Sequence, residues 1–171
     1  MKNRQWSKTR KMLEQDLLCP ALRGRVRYFS TRYRKAHDQT GRYCVVIDGK
    51  DVLSAPTETE YKIYREVHSN RLINGQPPAG KSLKDVYAEV TSDLISNGVF
   101  GDWHFIEALN EFLNSSIEDA LASQNSLVRM FAILDRRVGK RTLEKLKHSV
   151  ENEPEWLRYF YRLRLESEGV T

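Results

Sequence analysis

Apolar positions recur with a helical period over most of the chain and with a strand period over one short stretch. Trp6, Thr9, Leu13, Leu17 and Leu18 line one face of a helix expected over 4–18, with Lys8, Arg10 and Lys11 opposite. Cys19-Pro20 ends it, because the residue before a proline avoids the helical region. Residues 25–34, rich in arginine, aromatic and β-branched side chains, read as a strand. His37 to Gly41 is a turn, and Arg42 to Asp48 is the clearest strand of the chain. Asp48-Gly49 is a hairpin signal, and Val52-Leu53 continues as a short third strand. Residues 25–54 are therefore expected to form a three-stranded antiparallel meander.

After Pro56 the period becomes helical. Tyr61, Tyr64, Val67, His68 and Leu72 mark a helix over 57–73, with Thr57 and Glu60 spaced as a capping box. A Gly/Pro loop covers 74–81. Ser82 then caps a helix to about Ser96, with Leu83, Val86, Val90, Leu94 and Ile95 apolar. A helix over 102–113 would turn Trp103, Ile106, Leu109 and Phe112 or Leu113 inward. A short helix over 115–123 follows, and Pro154 opens a last one from Trp156 to Glu168. Strands and helices are segregated, which argues for an α+β fold rather than a wound parallel sheet. The reading is one domain over 1–171, with a helix and sheet in 1–56 and a helical part in 57–171.

Composition narrows the function classes. No apolar run approaches the ~20 residues of a membrane span. The start, Met1 to Trp6, has no apolar segment of a signal peptide. Cys19 and Cys44 lie in unrelated contexts, so reduced thiols in a cytoplasmic protein are expected. The net charge of +5 is unevenly spread. Residues 1–50 hold 13 Lys/Arg against 4 Asp/Glu, residues 51–125 hold 5 against 12, and residues 126–171 hold 10 against 7. Either the basic and acidic parts pair with each other, or the basic part has an external acidic partner.

The densest charge lies in Ile133 to Leu146. Leu127, Val128, Met130, Phe131 and Leu134 precede it at helical spacing, and Leu143, Leu146 and Val150 follow. This predicts a helix, a tight turn with Gly139 as left-handed cap, and a second helix. Arg136 and Arg137 would occupy the last turn of the first helix, with Asp135 as a local counter-charge. Arg136, Arg137, Lys140 and Arg141 would then form a cationic knuckle for phosphates or acidic groups.

Several strings resemble catalytic chemistry. Gly75 to Ser82 matches the phosphate-loop pattern G-x-x-x-x-G-K-[ST], and Phe131 to Asp135 resembles the apolar strand whose terminal Asp places magnesium. The first string follows a helical pattern rather than a strand, and Pro78 removes a backbone N–H from the loop. Asp48 or Asp51 with Glu60-x-Lys62 has the letters of a metal-dependent nuclease, but Glu60 and Lys62 would diverge on a helix. His37, His68, His104 and His148 are scattered without metal-ligand spacing. No catalytic, cofactor-binding or metal-binding residue is assigned on these grounds.

The basic strands carry the better signal. Arg25, Arg27, Arg32, Arg34 and Arg42 interleave with Tyr28, Phe29, Tyr33 and Tyr43, and such a face can neutralise phosphates and stack bases. Two blocks also look familiar. One runs through Trp6-Ser7-Lys8, Leu18-Cys19-Pro20, Leu22-x-Gly24-Arg25, Tyr33-Arg34-Lys35, His37-Asp38, Gly41-Arg42 and Asp48-Gly49-Lys50; the other is Leu134-Asp135-Arg136-Arg137-Val138-Gly139-Lys140-Arg141-x-Leu143. They resemble a family of small bacterial cytosolic proteins with no assigned activity, over the first third and last quarter of the chain. The resemblance implies host and compartment, not mechanism. The expected function is a non-catalytic module that binds RNA or another polyanion through Arg25, Arg27, Arg32, Arg34, Arg42, Arg136, Arg137, Lys140 and Arg141. The alternatives are a nucleotide-binding enzyme using Gly75–Ser82 and a structural or regulatory protein that pairs with itself as a homodimer.

Overall fold

The computed structural model describes residues 6–32 and 41–170. Helix α1 (Trp6–Lys11) runs on as a π-helical segment, Met12–Leu17. A 3-10 turn at Pro20–Leu22 leads into β1 (Val26–Arg32), β2 (Gly41–Ile47) and β3 (Lys50–Pro56). These pair antiparallel in the order β1-β2-β3. The rest is helical: a π-helical Glu60–Tyr64, α2 (Arg65–Asn70), α3 (Leu83–Ser96), α4 (Asp102–Asn114), α5 (Ile117–Ala122), α6 (Ser126–Leu134), α7 (Lys140–Leu146), a 3-10 stretch Lys147–Asn152 and α8 (Glu155–Ser167). The α+β class read from the sequence holds. The third strand is longer than expected, because Asp48 (φ 49°) and Gly49 (φ 81°) both adopt the positive φ of a tight hairpin turn and hold β3 in register.

Sheet register follows the alternation of side chains. Val26, Tyr28, Val45, Ile47, Leu53 and Ala55 are buried on the inner face. The centre of the core is α6, whose nine residues are all buried except Arg129. A helix apolar on every side must be enclosed, and α4, α5 and α8 enclose this one. Each fully buried Leu, Ile or Phe stabilises the fold by about 1.5–3 kcal/mol. Phe131 is the hub: it stacks on Tyr28 and Phe112 and meets Phe105 edge-on. A second, smaller cluster of Tyr64, Val86, Val90 and Leu94 lies between the α2 and α3 segments.

Three local expectations give way. The α4 face is rotated: His104, Phe105, Ala108, Leu109 and Phe112 are buried, while Trp103 and Ile106 are only partly so. One local and one distant contact set it. The His104 Nδ1 accepts the Gly101 N–H at 2.9 Å, and Phe105 stacks face to face on Tyr43 at 5.1 Å. Thr57 stands directly before the helical residues 58 and 59, and its hydroxyl also serves another purpose: it accepts the Gly41 N–H at 3.1 Å and donates to Asp102 at 2.9 Å, joining the sheet to α4. Gly139 is not left-handed. Its φ of −82° and ψ of 166° place it as the extended N-cap of α7.

The last correction follows from where α6 stops. Asp135 leaves the helix in an extended conformation because it forms an antiparallel bridge with Leu18. Cys19 N–H donates to the Leu134 carbonyl at 2.9 Å, and Arg136 N–H donates to the Leu17 carbonyl at 2.7 Å. Arg136 and Arg137 therefore sit in the turn beyond α6, not in its last helical turn. The start and the end of the chain meet at this bridge.

Candidate polyanion-binding surfaces

The outer face of the sheet is built by strand parity. Arg27, Phe29 and Thr31 on β1 and Arg42, Cys44 and Val46 on β2 point away from the core and line an open groove of about 530 Å³. Register places Arg27 beside Val46, Phe29 beside Cys44 and Thr31 beside Arg42. On β3 a bulge changes the parity. Val45 pairs with Leu53 but Val46 pairs with Asp51, so Val52 is the extra residue. Leu53 and Ala55 point inward; strict alternation would send Asp51 inward as well. The bulge brings it to the groove instead, 2.9 Å from the Arg42 guanidinium.

Charges on this face are partly answered already. Arg25 forms a two-pronged pair with Asp48 at 3.0 and 2.7 Å, which raises the arginine pKa and lowers that of the carboxyl. Both groups are largely exposed, so the pair contributes little to stability. Arg27 is exposed and makes no ion pair among the described residues. Cys44 forms the floor; burial raises its thiol pKa, against a smaller opposing effect of Arg42. The aromatic residue available on this face is Phe29. Tyr28 and Tyr43 belong to the inner face, stacked on Phe131 and Phe105, and are not free to stack bases. Arg34 and Tyr33 lie outside the described residues, as does the Arg32 side chain.

The second cationic group is the turn 135–141. Asp135 is 1% exposed. It accepts the Arg137 N–H at 2.7 Å and the Arg137 guanidinium at 3.0 and 2.9 Å. Arg137 also lies over the Phe112 ring, 5.7 Å from its centroid. Beneath the turn is Arg164 of α8, only 2% exposed. Its guanidinium donates to the carbonyls of Ile133 at 3.2 Å and Val138 at 2.9 Å, to Cys19 Sγ at 2.7 Å, and to the Glu168 carboxylate. Burial raises the Cys19 thiol pKa, and Arg164 opposes that. Burial is the largest single influence on Glu168 and acts to raise it, but the hydrogen bond and charge of Arg164, with smaller help from Cys19 and Lys140, together bring its carboxyl below the usual range. A buried cation carries a desolvation penalty of several kcal/mol unless every donor is satisfied, and here each of its nitrogens donates. Arg136, Lys140 and Arg141 project outward from this braced turn and are exposed.

Among the described residues no hydrogen bond or ion pair joins the two groups: the partners of the turn are Leu17, Phe112, Asp135 and Arg164, none of which lines the sheet groove. Sequence reasoning missed that Phe29 is the outer-face ring among the described residues, that Asp51 shares its groove, and the Arg164 centre. Parity of Arg27, Phe29 and Thr31 could have found the first. A charged residue between Leu163 and Leu165, four before Glu168, was the signal for the last.

The strings with catalytic look-alikes are placed as follows. Gly75–Ser82 follows α2 and the four residues 71–74, with an isolated bridge between Ile73 and Gln76, not a strand. Lys81 binds Glu89 at 2.6 Å, and Ser82 caps α3 in a reciprocal pair with Asp85. Asp48 and Asp51 face arginines rather than each other. Among the described residues no group of three His, Cys, Asp or Glu could hold a metal ion, and no helix is long and apolar enough to cross a membrane.

The arrangement defines an α+β protein with a small antiparallel sheet, one face in the core and the other lined by arginines. The chain belongs to the SF0329 protein family, whose model matches residues 5–165. That match includes the middle of the chain as well as the two blocks that carried the resemblance. No curated relative and no solved structure matches the chain.

Proposed function

We propose that this chain is a non-catalytic binding module for a polyanion, RNA above all. The observation that carries the reading is the outer sheet face. Among the described residues no helix covers it, and it presents Arg25, Arg27 and Arg42 around the partly buried ring of Phe29. Phosphate neutralisation by arginine supplies affinity, and release of counterions makes it salt-dependent. The braced turn offers a second contact through Arg136, Lys140 and Arg141. Loops held by a rigid scaffold present side chains at little ordering entropy, and the Arg164 and Asp135 networks hold this one.

The test is retention on immobilised RNA and on heparin across a salt gradient. Binding that weakens steeply with salt supports the reading. Arg27→Ala should reduce the slope of log affinity against log salt by about one contact, and Arg136→Ala with Arg141→Ala by about two. Absence of retention on either matrix at low salt overturns it. Sedimentation run alongside separates self-association: a dimer broken by Phe29→Asp would assign the face to a second copy instead.

A further inference from the structure

We propose that the outer sheet face takes an unpaired nucleotide of single-stranded RNA, its base stacked on Phe29 and its phosphates held between Arg27 and Arg42. This rests on the polyanion-binding reading and narrows it. The narrowing comes from shape. The face is one aromatic ring in a shallow groove with an apolar floor of Cys44 and Val46. Arginines sit on either side along the strand direction: Arg27 two residues before Phe29, and Arg42 opposite Thr31, two residues after. Those two rows are four residues apart, roughly 14 Å between α-carbons, a span that long guanidinium side chains close from both ends. A duplex hides the faces of its bases within the stack, so Phe29 has nothing to stack on; an unpaired base offers its π-face whatever its identity.

Asp51 is the second part of the proposal. It reaches the groove only because of the bulge at Val52, and it holds the Arg42 guanidinium at 2.9 Å. The Arg42 Nε is buried and makes no hydrogen bond among the described residues. A phosphate arriving at Arg42 competes with the Asp51 carboxylate for the same guanidinium. Asp51 is therefore an internal competitor: it lowers affinity for bare phosphate and leaves selectivity to the base on Phe29. The bulge turns a residue that alternation would bury into the counter-ion of the site.

The experiment is equilibrium binding of a short fluorescent single-stranded RNA and of an RNA duplex of the same length, at one fixed salt concentration. Wild type is expected to favour the single strand. Phe29→Leu keeps an apolar side chain and removes the ring; it should weaken single-strand binding roughly tenfold or more and weaken duplex and heparin binding far less. Asp51→Asn should strengthen binding to both RNAs several-fold and increase the salt slope, through one added phosphate contact at Arg42. Unchanged melting temperatures show that each variant is folded. If wild type binds RNA but Phe29→Leu binds the single strand as well as wild type does, this inference fails while the polyanion reading stands. Equal affinity for strand and duplex has the same consequence. If wild type binds neither RNA nor heparin, both fail.

Discussion

Arg164, near the end of the last helix, donates a 2.9 Å hydrogen bond to the carbonyl of Val138, in the turn that follows the central helix. The same guanidinium reaches Ile133 on the other side of that turn and Cys19 near the start of the chain. One buried cation thus ties three distant segments. Removing it strands two buried carbonyls and the Glu168 carboxylate. Arg164→Met should therefore destabilise the protein by about 3–5 kcal/mol despite its similar length. Arg164→Lys should recover little of this, since one ammonium cannot span acceptors laid out for a planar fork. Urea unfolding followed by tryptophan fluorescence measures both. A loss below about 1 kcal/mol for the methionine variant would mean that the network is incidental.

His104 gives a pH dependence with a definite sign. Burial pulls its pKa from 6.5 down to about 4, and its Nδ1 is already occupied by the Gly101 N–H. The unfolded chain therefore binds a proton between pH 6.5 and pH 4 that the folded chain refuses. The stability tied to neutral His104 is fully present above about pH 6.5 and is lost as pH falls through that window. The full change is about 3 kcal/mol. His104→Gln, which keeps an acceptor for Gly101, should flatten the fall in urea midpoint between pH 7 and pH 4.5 relative to wild type. Parallel curves for the two proteins would remove His104 from the cause.

Gly101 is a steric requirement, not a conformational one. A Cβ built there would lie 2.9 Å from the Trp103 indole nitrogen and 3.0 Å from its Cδ1. Gly101→Ala should cost about 1–3 kcal/mol by displacing the indole from its seat beside His104. The thermal midpoint reads this directly, and an unchanged midpoint would show that the ring yields freely.

Gly139 tests the revised turn through the sign of the effect. At φ −82° and ψ 166° it is an ordinary extended N-cap, with nothing within 4 Å of an added Cβ. Gly139→Ser should be neutral or stabilise by up to about 1 kcal/mol, through a capping hydroxyl and a less flexible unfolded chain. Destabilisation by about 1 kcal/mol would instead point to the left-handed geometry that the sequence suggested.

What the sequence made legible is what local chemistry decides. Asp48-Gly49 specifies its turn in two residues, Ser82 and Asp85 cap α3 as their spacing implies, and the period of Leu127, Met130, Phe131 and Leu134 identifies α6. What it hid depends on distant partners. Asp135 is extended because Leu18 pairs with it, across a separation that no local pattern encodes. The helix face at 102–114 turned on a stack between Phe105 and Tyr43. On the candidate face, the arginines of β1 and β2 could be read directly, but Asp51 could not. A bulge reverses the parity of everything beyond it, and this one is marked by no glycine or proline.

The clasp at Leu18 and Asp135 also sets an order in time. A ribosome makes Leu18 before the turn at 135–141, and the turn before Arg164. Until α8 has emerged, the Ile133 and Val138 carbonyls have no donor and Cys19 lacks the guanidinium that closes over it. The basic turn therefore acquires its fixed shape only once α8 has been made. A prematurely terminated product would carry the arginines of the turn without the frame that aims them, and its loose turn would be an early target for proteolysis.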